Sequence, residues 1–236
     1  MAKLNTNGNV YTIVYATVIV IIVAFLLAFV ASALKPTQDA NVAIDKKQQI
    51  LASLNIRGIE KSATEAKYEE VIKEALVYKA GSADIIEGED GFDVPSKEFK
   101  EKRPFYIAEV DGQTKYIVPM TGAGLWGGIW GYVALDDDLA TVYGTYFSHE
   151  SETAGLGARI AEDWFQNEFK GKKLYADGKD TKVVLSVVKK GKEEKGMSEA
   201  NYVNGVTGAT LTSNGVNEMI QKCLTDYQDI LNTYKK

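Results

Sequence analysis

Phe105-Tyr106-Ile107-Ala108-Glu109-Val110-Asp111-Gly112-Gln113-Thr114-Lys115-Tyr116-Ile117-Val118-Pro119 is a pair of β-rich runs on either side of Asp111-Gly112. Aromatic and β-branched residues fill both runs, and Asp-Gly tolerates the positive φ of a tight turn, so the segment reads as an antiparallel hairpin. Just C-terminal to it, Tyr132 to Leu135 and Thr141 to Phe147 flank Asp136-Asp137-Asp138 as a second hairpin. Lys182 to Val188 reads as a further strand. Between them a helix places Ile160, Trp164, Phe165 and Phe169 on one face, with Gly171 at its end. The last long helix has Val216, Met219, Ile220, Cys223, Leu224, Tyr227, Ile230 and Leu231 at helical spacing. On the N-terminal side, Asp39 to Leu54 reads as a helix ending near Gly58. A second helix follows from the capping-box spacing of Ser62-Ala63-Thr64-Glu65 through Val71, Ile72, Ala75 and Leu76 to Gly81. Strands and helices mix without regular βαβ alternation, which places the chain in the α+β class with a largely antiparallel sheet flanked by helices.

The N-terminal region obeys different physics. From Tyr11 to Leu34 there is no charged residue, and as a helix that run is roughly 30 Å long or a little more, enough to cross the hydrocarbon of a bilayer. Ala31-Ser32-Ala33 resembles a signal-peptide cleavage site, but the apolar run exceeds the roughly 7–15 residues of a signal peptide's core, so it reads as a retained single-pass anchor in contact with membrane lipid. Lys3 on one side and Lys35, Lys46 and Lys47 on the other leave the orientation open on charge alone. The expected division is a short tail at 1–10, a transmembrane helix at 11–34, a helical connector at 35–60 and one globular domain at 61–236.

Composition narrows the chemistry. Of 236 residues, 27 are Lys or Arg against 32 Asp or Glu, a net charge of -5 that offers no basic excess to a nucleic acid. One cysteine, Cys223, and one histidine, His149, cannot build a disulfide framework, a zinc site or an iron–sulfur cluster, so redox chemistry here needs an organic cofactor. Asp136-Asp137-Asp138 and Glu87-Gly88-Glu89-Asp90 lack calcium-loop spacing, and no metal site is expected. No catalytic residue set is expected either, since His149 with Ser148 or Ser151 lacks triad spacing.

Three segments are candidates for binding. Gly122-Ala123-Gly124-Leu125-Trp126-Gly127 matches a dinucleotide fingerprint in form, but Gly128 to Gly131 is a poor helix start; a loop offering Leu125, Trp126 and Trp130 as apolar walls fits better. His149 to Gly157 ends in Gly155-Leu156-Gly157, which suits a loop folded over a planar ligand. Asn204 to Gly215 leads into the C-terminal helix, where unpaired N–H groups favour a phosphate and small Gly208 and Ala209 leave the Thr210 hydroxyl accessible. A plain turn capped by Thr212 or Ser213 fits the same residues.

Thr207-Gly208-Ala209-Thr210 resembles the flavinylation motif of the FMN-binding domain family, with Asn204 where Asp commonly opens it. His149-x-x-Glu152-Thr153-x-Gly155-Leu156-Gly157 resembles a second element of that family, with Ala154 in place of the usual Pro. Together with the Gly124-Leu125-Trp126 loop and the single N-terminal helix, the whole chain is similar to the family of C subunits of Na+-translocating NADH:quinone oxidoreductases; the G subunits of Rnf electron-transport complexes are the next resemblance, and a cofactor-free tethered interaction module is the reading without it. The resemblance implies that Thr210 carries FMN through a phosphodiester installed by a periplasmic flavin transferase. Glu152, Thr153, Gly155, Leu156 and Gly157 would line the isoalloxazine, beside Leu125, Trp126, Gly208, Ala209, Leu211 and Thr212. One of Lys189, Lys190 or Lys192 would neutralise the phosphate or reduced ring. It further implies a relay subunit in the cell inner membrane, N-terminus cytoplasmic and FMN domain periplasmic. That relay would work with the other subunits, especially the membrane subunits, in NADH oxidation, ubiquinone reduction and sodium export.

Overall fold

A computed structural model describes residues 8–176, 179–192 and 196–235. Lys3, most of the tail expected at 1–10 and the middle of the Lys190–Ala200 loop lie outside these residues. The chain divides into two compact units, Met1–Asp45 and Lys46–Lys236.

Helix α1 (Asn9–Ser53) is a single helix with Pro36 inside it, where a transmembrane helix ending at Leu34 and a separate helix from Asp39 were expected. Proline removes one backbone hydrogen bond, at a cost of about 3 kcal/mol, but does not forbid continuation. The good helix formers Ala33, Leu34 and Ala40 flank it, and Lys35 reaches Asp39 across it at 3.2 Å. In the first unit the apolar side chains from Val10 to Leu34 are exposed, and the helix is long and apolar enough to cross a membrane.

The second unit is built on a five-stranded antiparallel meander in sequence order. Helix α2 (Lys61–Val71) is followed directly by β1 (Ile72–Lys79), where the spacing predicted continued helix to Gly81. Ile72, Ala75 and Leu76 fit either period; pairing decides, because β1 lies antiparallel to β2 (Lys102–Val110) with Ala75 opposite Tyr106 and Leu76 opposite Phe105. The expected capping box is not formed: Glu60 occupies the N-cap without a side-chain bond, and the Thr64 hydroxyl donates to the Glu60 carbonyl. β2 turns into β3 (Gln113–Ala123) through Asp111 and Gly112, whose φ values of 51° and 74° give the mirror-image turn that a twisted hairpin prefers. β4 (Gly128–Leu135) and β5 (Val142–His149) form the second hairpin. In its turn, Asp138 accepts from the backbone N–H groups of Ala140 and Thr141, and Asp136 holds Lys115 at 2.7 Å.

Both faces of this sheet are covered, so the middle stretches of its central strands are continuously apolar, and the charged residues gather at strand ends and on the edge strand β1. On one face Ile50, Leu51 and Leu54, at the end of α1 and just beyond it, pack with Tyr68, Tyr106, Ile117 and Tyr132. On the other, Phe105, Val118, Met120, Ile129 and Val133 meet the C-terminal helices. The region expected as a helix around 160–169 is a 3-10 turn, Gly157–Ala161, and a short α3 (Asp163–Asn167); Ile160, Phe165 and Phe169 are buried, but Trp164 is 40% exposed.

β6 (Tyr175–Ala176) pairs with β7 (Lys179–Val183). The strand expected over Lys182–Val188 is interrupted, resuming as β8 (Ser186–Val188), which runs parallel to β9 (Tyr202–Asn204). The C-terminal helix is likewise divided, into α4 (Thr210–Asp226) and α5 (Gln228–Tyr234), because Tyr227 turns inward and its hydroxyl donates to the Pro104 carbonyl at 2.7 Å.

Candidate functional site

Three segments from separate parts of the sequence meet where β3 leaves the sheet. Gly124 to Gly127 closes the β3–β4 hairpin, with the Gly124 N–H donating to the Gly127 carbonyl at 2.8 Å. A hairpin connection has no helix start, so the dinucleotide fingerprint has no structural counterpart. The loop is fastened from below by Glu152, a residue only 7% exposed. Its Oε1 accepts from the Trp126 N–H at 2.8 Å, and its Oε2 accepts from the Thr212 hydroxyl at 2.6 Å. Burial pushes this carboxyl up, but the Thr212 hydroxyl and the N–H groups of Trp126 and Leu125 outweigh it and hold Glu152 below the usual carboxylate range.

Close approach explains the glycines. A Cβ on Gly124 would lie 2.4 Å from Glu152 Oε1, and one on Gly157 would lie 2.3 Å from Glu152 Oε2 and 2.5 Å from Thr212 Oγ1. Gly155 makes the turn between them with a φ of 75°, and the Thr153 carbonyl accepts from the N–H groups of Leu156 and Ala158. His149 belongs to the same turn: its Nδ1 accepts from the Glu152 N–H at 3.2 Å, which leaves the ring proton on Nε2. Ser151 donates to the Trp126 carbonyl at 3.2 Å, so this hydroxyl and the His149 ring are both bonded to the backbone of the loops.

The third segment starts α4. Thr210 is the first helical residue, preceded by Ala209 at the N-cap, which forms no side-chain cap bond. Neither alternative cap is formed, because Thr212 donates to Glu152 and the Ser213 hydroxyl accepts from the Val206 N–H at 3.0 Å. Gly208, with a φ of 82°, lets the chain turn into the helix. Thr210 is exposed and borders a cavity of about 320 Å³ lined also by Lys189, Lys190, Gly208, Ser213 and Asn214. Lys192 and Ala209 are not in that lining. The same three segments carry four exposed apolar side chains outside that lining: Leu125 at 47%, Trp126 at 66%, Leu156 at 44% and Leu211 at 60%.

Trp130, read from the sequence as a third wall, is turned away and donates its indole N–H to Gln49 at 3.0 Å. Asn214, and Ser213 as part of the lining, were missed, although Asn214 lies one turn after Thr210 and so shares its face. Asn204, at the departing position of the motif, has its Oδ1 buried without a hydrogen-bond partner.

An uncapped helix start, two lysines and an exposed hydroxyl around one cavity suit a phosphate monoester. Exposed flat and branched apolar side chains on the segments that meet here suit an aromatic ring system. The residues present therefore fit FMN.

The family model described as FMN-binding domain matches residues 124–225, which include every one of these segments. The C subunit of the Na(+)-translocating NADH-quinone reductase of Haemophilus ducreyi is 31% identical over 92% of this chain and 90% of its own length. Its counterpart in Pseudomonas aeruginosa is 29% identical over 92% and 91%. Among solved structures, the C subunit from Parabacteroides distasonis superposes with a TM-score of 0.76 at 43% identity, covering 84% of this chain and 96% of that one. NqrC of Shewanella oneidensis, at 23% identity and a TM-score of 0.70, shares the fold. By sequence over nearly its full length and by fold, the chain belongs to the family of C subunits of the Na(+)-translocating NADH-quinone reductases.

Proposed function

We propose that this chain is the membrane-anchored electron relay of a Na+-translocating NADH:quinone reductase and carries FMN as a phosphoester of Thr210. The observation that carries the reading is the exposed Thr210 hydroxyl at the uncapped start of a 17-residue helix, in one cavity with Lys189 and Lys190. The donor must be an activated phosphoanhydride of FMN presented by a flavin transferase. The Thr210 Oγ–P bond forms, the anhydride P–O bond breaks, and the hydroxyl proton leaves with the departing phosphate.

The flavin supplies one-electron redox chemistry when bound, and the protein supplies position and electrostatics. Lys189 and Lys190 offset the phosphate charge together with the positive pole of α4. Leu125, Trp126, Leu156 and Leu211 would offer the ring apolar contact and restrict water. Gly208 and Ala209 keep the approach to Thr210 open, while Thr153, Gly155 and Gly157 shape the loop over the ring. Glu152 holds the Trp126 loop and Thr212 in a fixed relation to Thr210. NADH oxidation, quinone reduction and sodium export belong to the assembled complex, and other subunits complete the enzyme. The apolar half of α1 anchors the chain in the inner membrane, with the N-terminus cytoplasmic and the FMN domain periplasmic, where the transferase acts.

Denatured protein coexpressed with a flavin transferase should keep its in-gel flavin fluorescence, and Thr210→Val should abolish it without loss of folding. Fluorescence persisting in the Thr210→Val protein would move the attachment elsewhere, and a dark wild-type band would remove the covalent link.

A further inference from the structure

A cavity of about 630 Å³ lies away from Thr210, at the other end of α4. Lys222 and Thr210 are separated by three turns of helix, roughly 18 Å. The cavity is an open groove between a 3-10 turn at Ser96–Glu98, the outer part of β3 and the last turns of α4. Four cations line it, Lys97, Lys100, Arg103 and Lys222, against one anion, Asp226, in a chain whose net charge is -5. Asp226 is taken up by Arg103 at 3.0 Å, and Lys97, Lys100 and Lys222 form no ion pair among the described residues. Arg103 is itself 14% exposed in its side chain, and its Nε is buried without a hydrogen-bond partner. The groove is therefore a concentration of positive charge in which three lysines are left without an ion-pair partner.

The arrangement discriminates between kinds of anion. α4 presents its carbonyl end here, whose negative pole disfavours a compact ion, and α5, which starts beside the groove after Tyr227, is only seven residues long. The lysines come from two separate elements, and Phe99, Pro119 and Tyr227 provide an apolar floor between them. Spread cations over an apolar floor match an extended polypeptide that alternates carboxylates with apolar side chains. We infer that this groove docks an acidic polypeptide segment of a neighbouring subunit of the complex. The inference rests on the assignment of the chain as a subunit, not on the flavin. Charge complementarity of this kind acts chiefly on association rate and partner choice, and it weakens with salt.

The test uses the full chain in detergent and a fluorescently labelled hexaglutamate peptide. Wild-type protein should bind it saturably at 1:1, and the triple variant Lys97→Glu, Lys100→Glu, Lys222→Glu should bind on the order of tenfold or more weakly. A Lys→Gln triple variant with an unchanged thermal midpoint should fall between, which separates lost charge from misfolding. In complexes purified from membranes, the charge-reversed subunit should release its partners at lower salt than wild type does. Equal peptide affinity in wild type and both variants, or equal salt resistance of the complexes, overturns the inference. Displacement of the peptide by equimolar inorganic phosphate also overturns it, in favour of a small-anion site. In-gel flavin fluorescence of the same preparations keeps the two readings apart: its absence from wild type defeats the FMN reading and leaves the peptide titration interpretable.

Discussion

Glu152 shows how one buried carboxylate organises a site it does not itself present to solvent. Its two oxygens tie a hairpin loop to the first turn of α4, and Gly124 and Gly157 are glycines because any side chain would occupy the space of that carboxylate. Glu152→Gln keeps the shape and lets the Thr212 hydroxyl reverse its bond, so a loss of about 1 kcal/mol is expected. Glu152→Ala leaves the loop N–H groups without an acceptor and should cost about 2–3 kcal/mol in urea unfolding. Because the folded-state pKa is depressed, the contribution is present above the unfolded value of about 4.3 and is lost as pH falls through the lower folded value. Wild-type stability should thus drop more steeply below about pH 4.3 than that of Glu152→Gln, and equal slopes would show that this carboxylate is not a linked group. The turn around Glu152 is legible in the sequence from Gly155-Leu156-Gly157. Its inward orientation is not, because that depends on Gly124 and Trp126 in another hairpin.

At the scale of elements, α4 sets packing against propensity. Gly215 lies inside the helix, where alanine would ordinarily stabilise by about 1 kcal/mol. Here a Cβ would stand 2.3 Å from the Ala123 carbonyl oxygen, backbone that cannot yield without shifting β3. Gly215→Ala should destabilise by about 1–3 kcal/mol, read as a lower urea midpoint; a raised midpoint would mean that α4 and β3 are free to separate. The two hairpins were legible because Asp111-Gly112 and the aspartates at 136–138 are turn chemistry, which is local. β1 and the break at Tyr227 were not, since Ile72-Leu76 fits two periods and Tyr227 fits the helical stripe. Pairing with β2 and the bond to Pro104 settle them, and both are contacts over long sequence separation. A helix entry in this region was legible, but its position was not: Asn204 to Gly215 reads as the lead into the helix, whereas α4 already begins at Thr210, and Thr212 and Ser213 spend their capping chemistry elsewhere.

Across the whole molecule, one continuous helix serves two solvents. The apolar half of α1 is exposed, whereas Ile50 and Leu51 near its end are fully buried in the core of the second unit. Removing residues 1–37 should give a protein that stays in the aqueous phase and unfolds cooperatively, while the full chain leaves membranes only with detergent. Removing residues 1–55 deletes Ile50, Leu51 and Leu54, and at about 2–5 kcal/mol for each buried side chain lost it should abolish the cooperative transition. Retention of that transition would show that the end of α1 is dispensable to the core. The anchor was legible from its uncharged run, and its fusion with the next helix was not, because Pro36 reads locally as a stop. All of this places one hydroxyl at the mouth of a helix beside two lysines, and a peptide mass map of the chain grown with its flavin transferase tests that placement most directly. The account predicts that the peptide containing Thr210 is heavier by one FMN less one water, with the fragment ions assigning the added mass to that residue. An unmodified Thr210, with the transferase active on a control substrate, would contradict it.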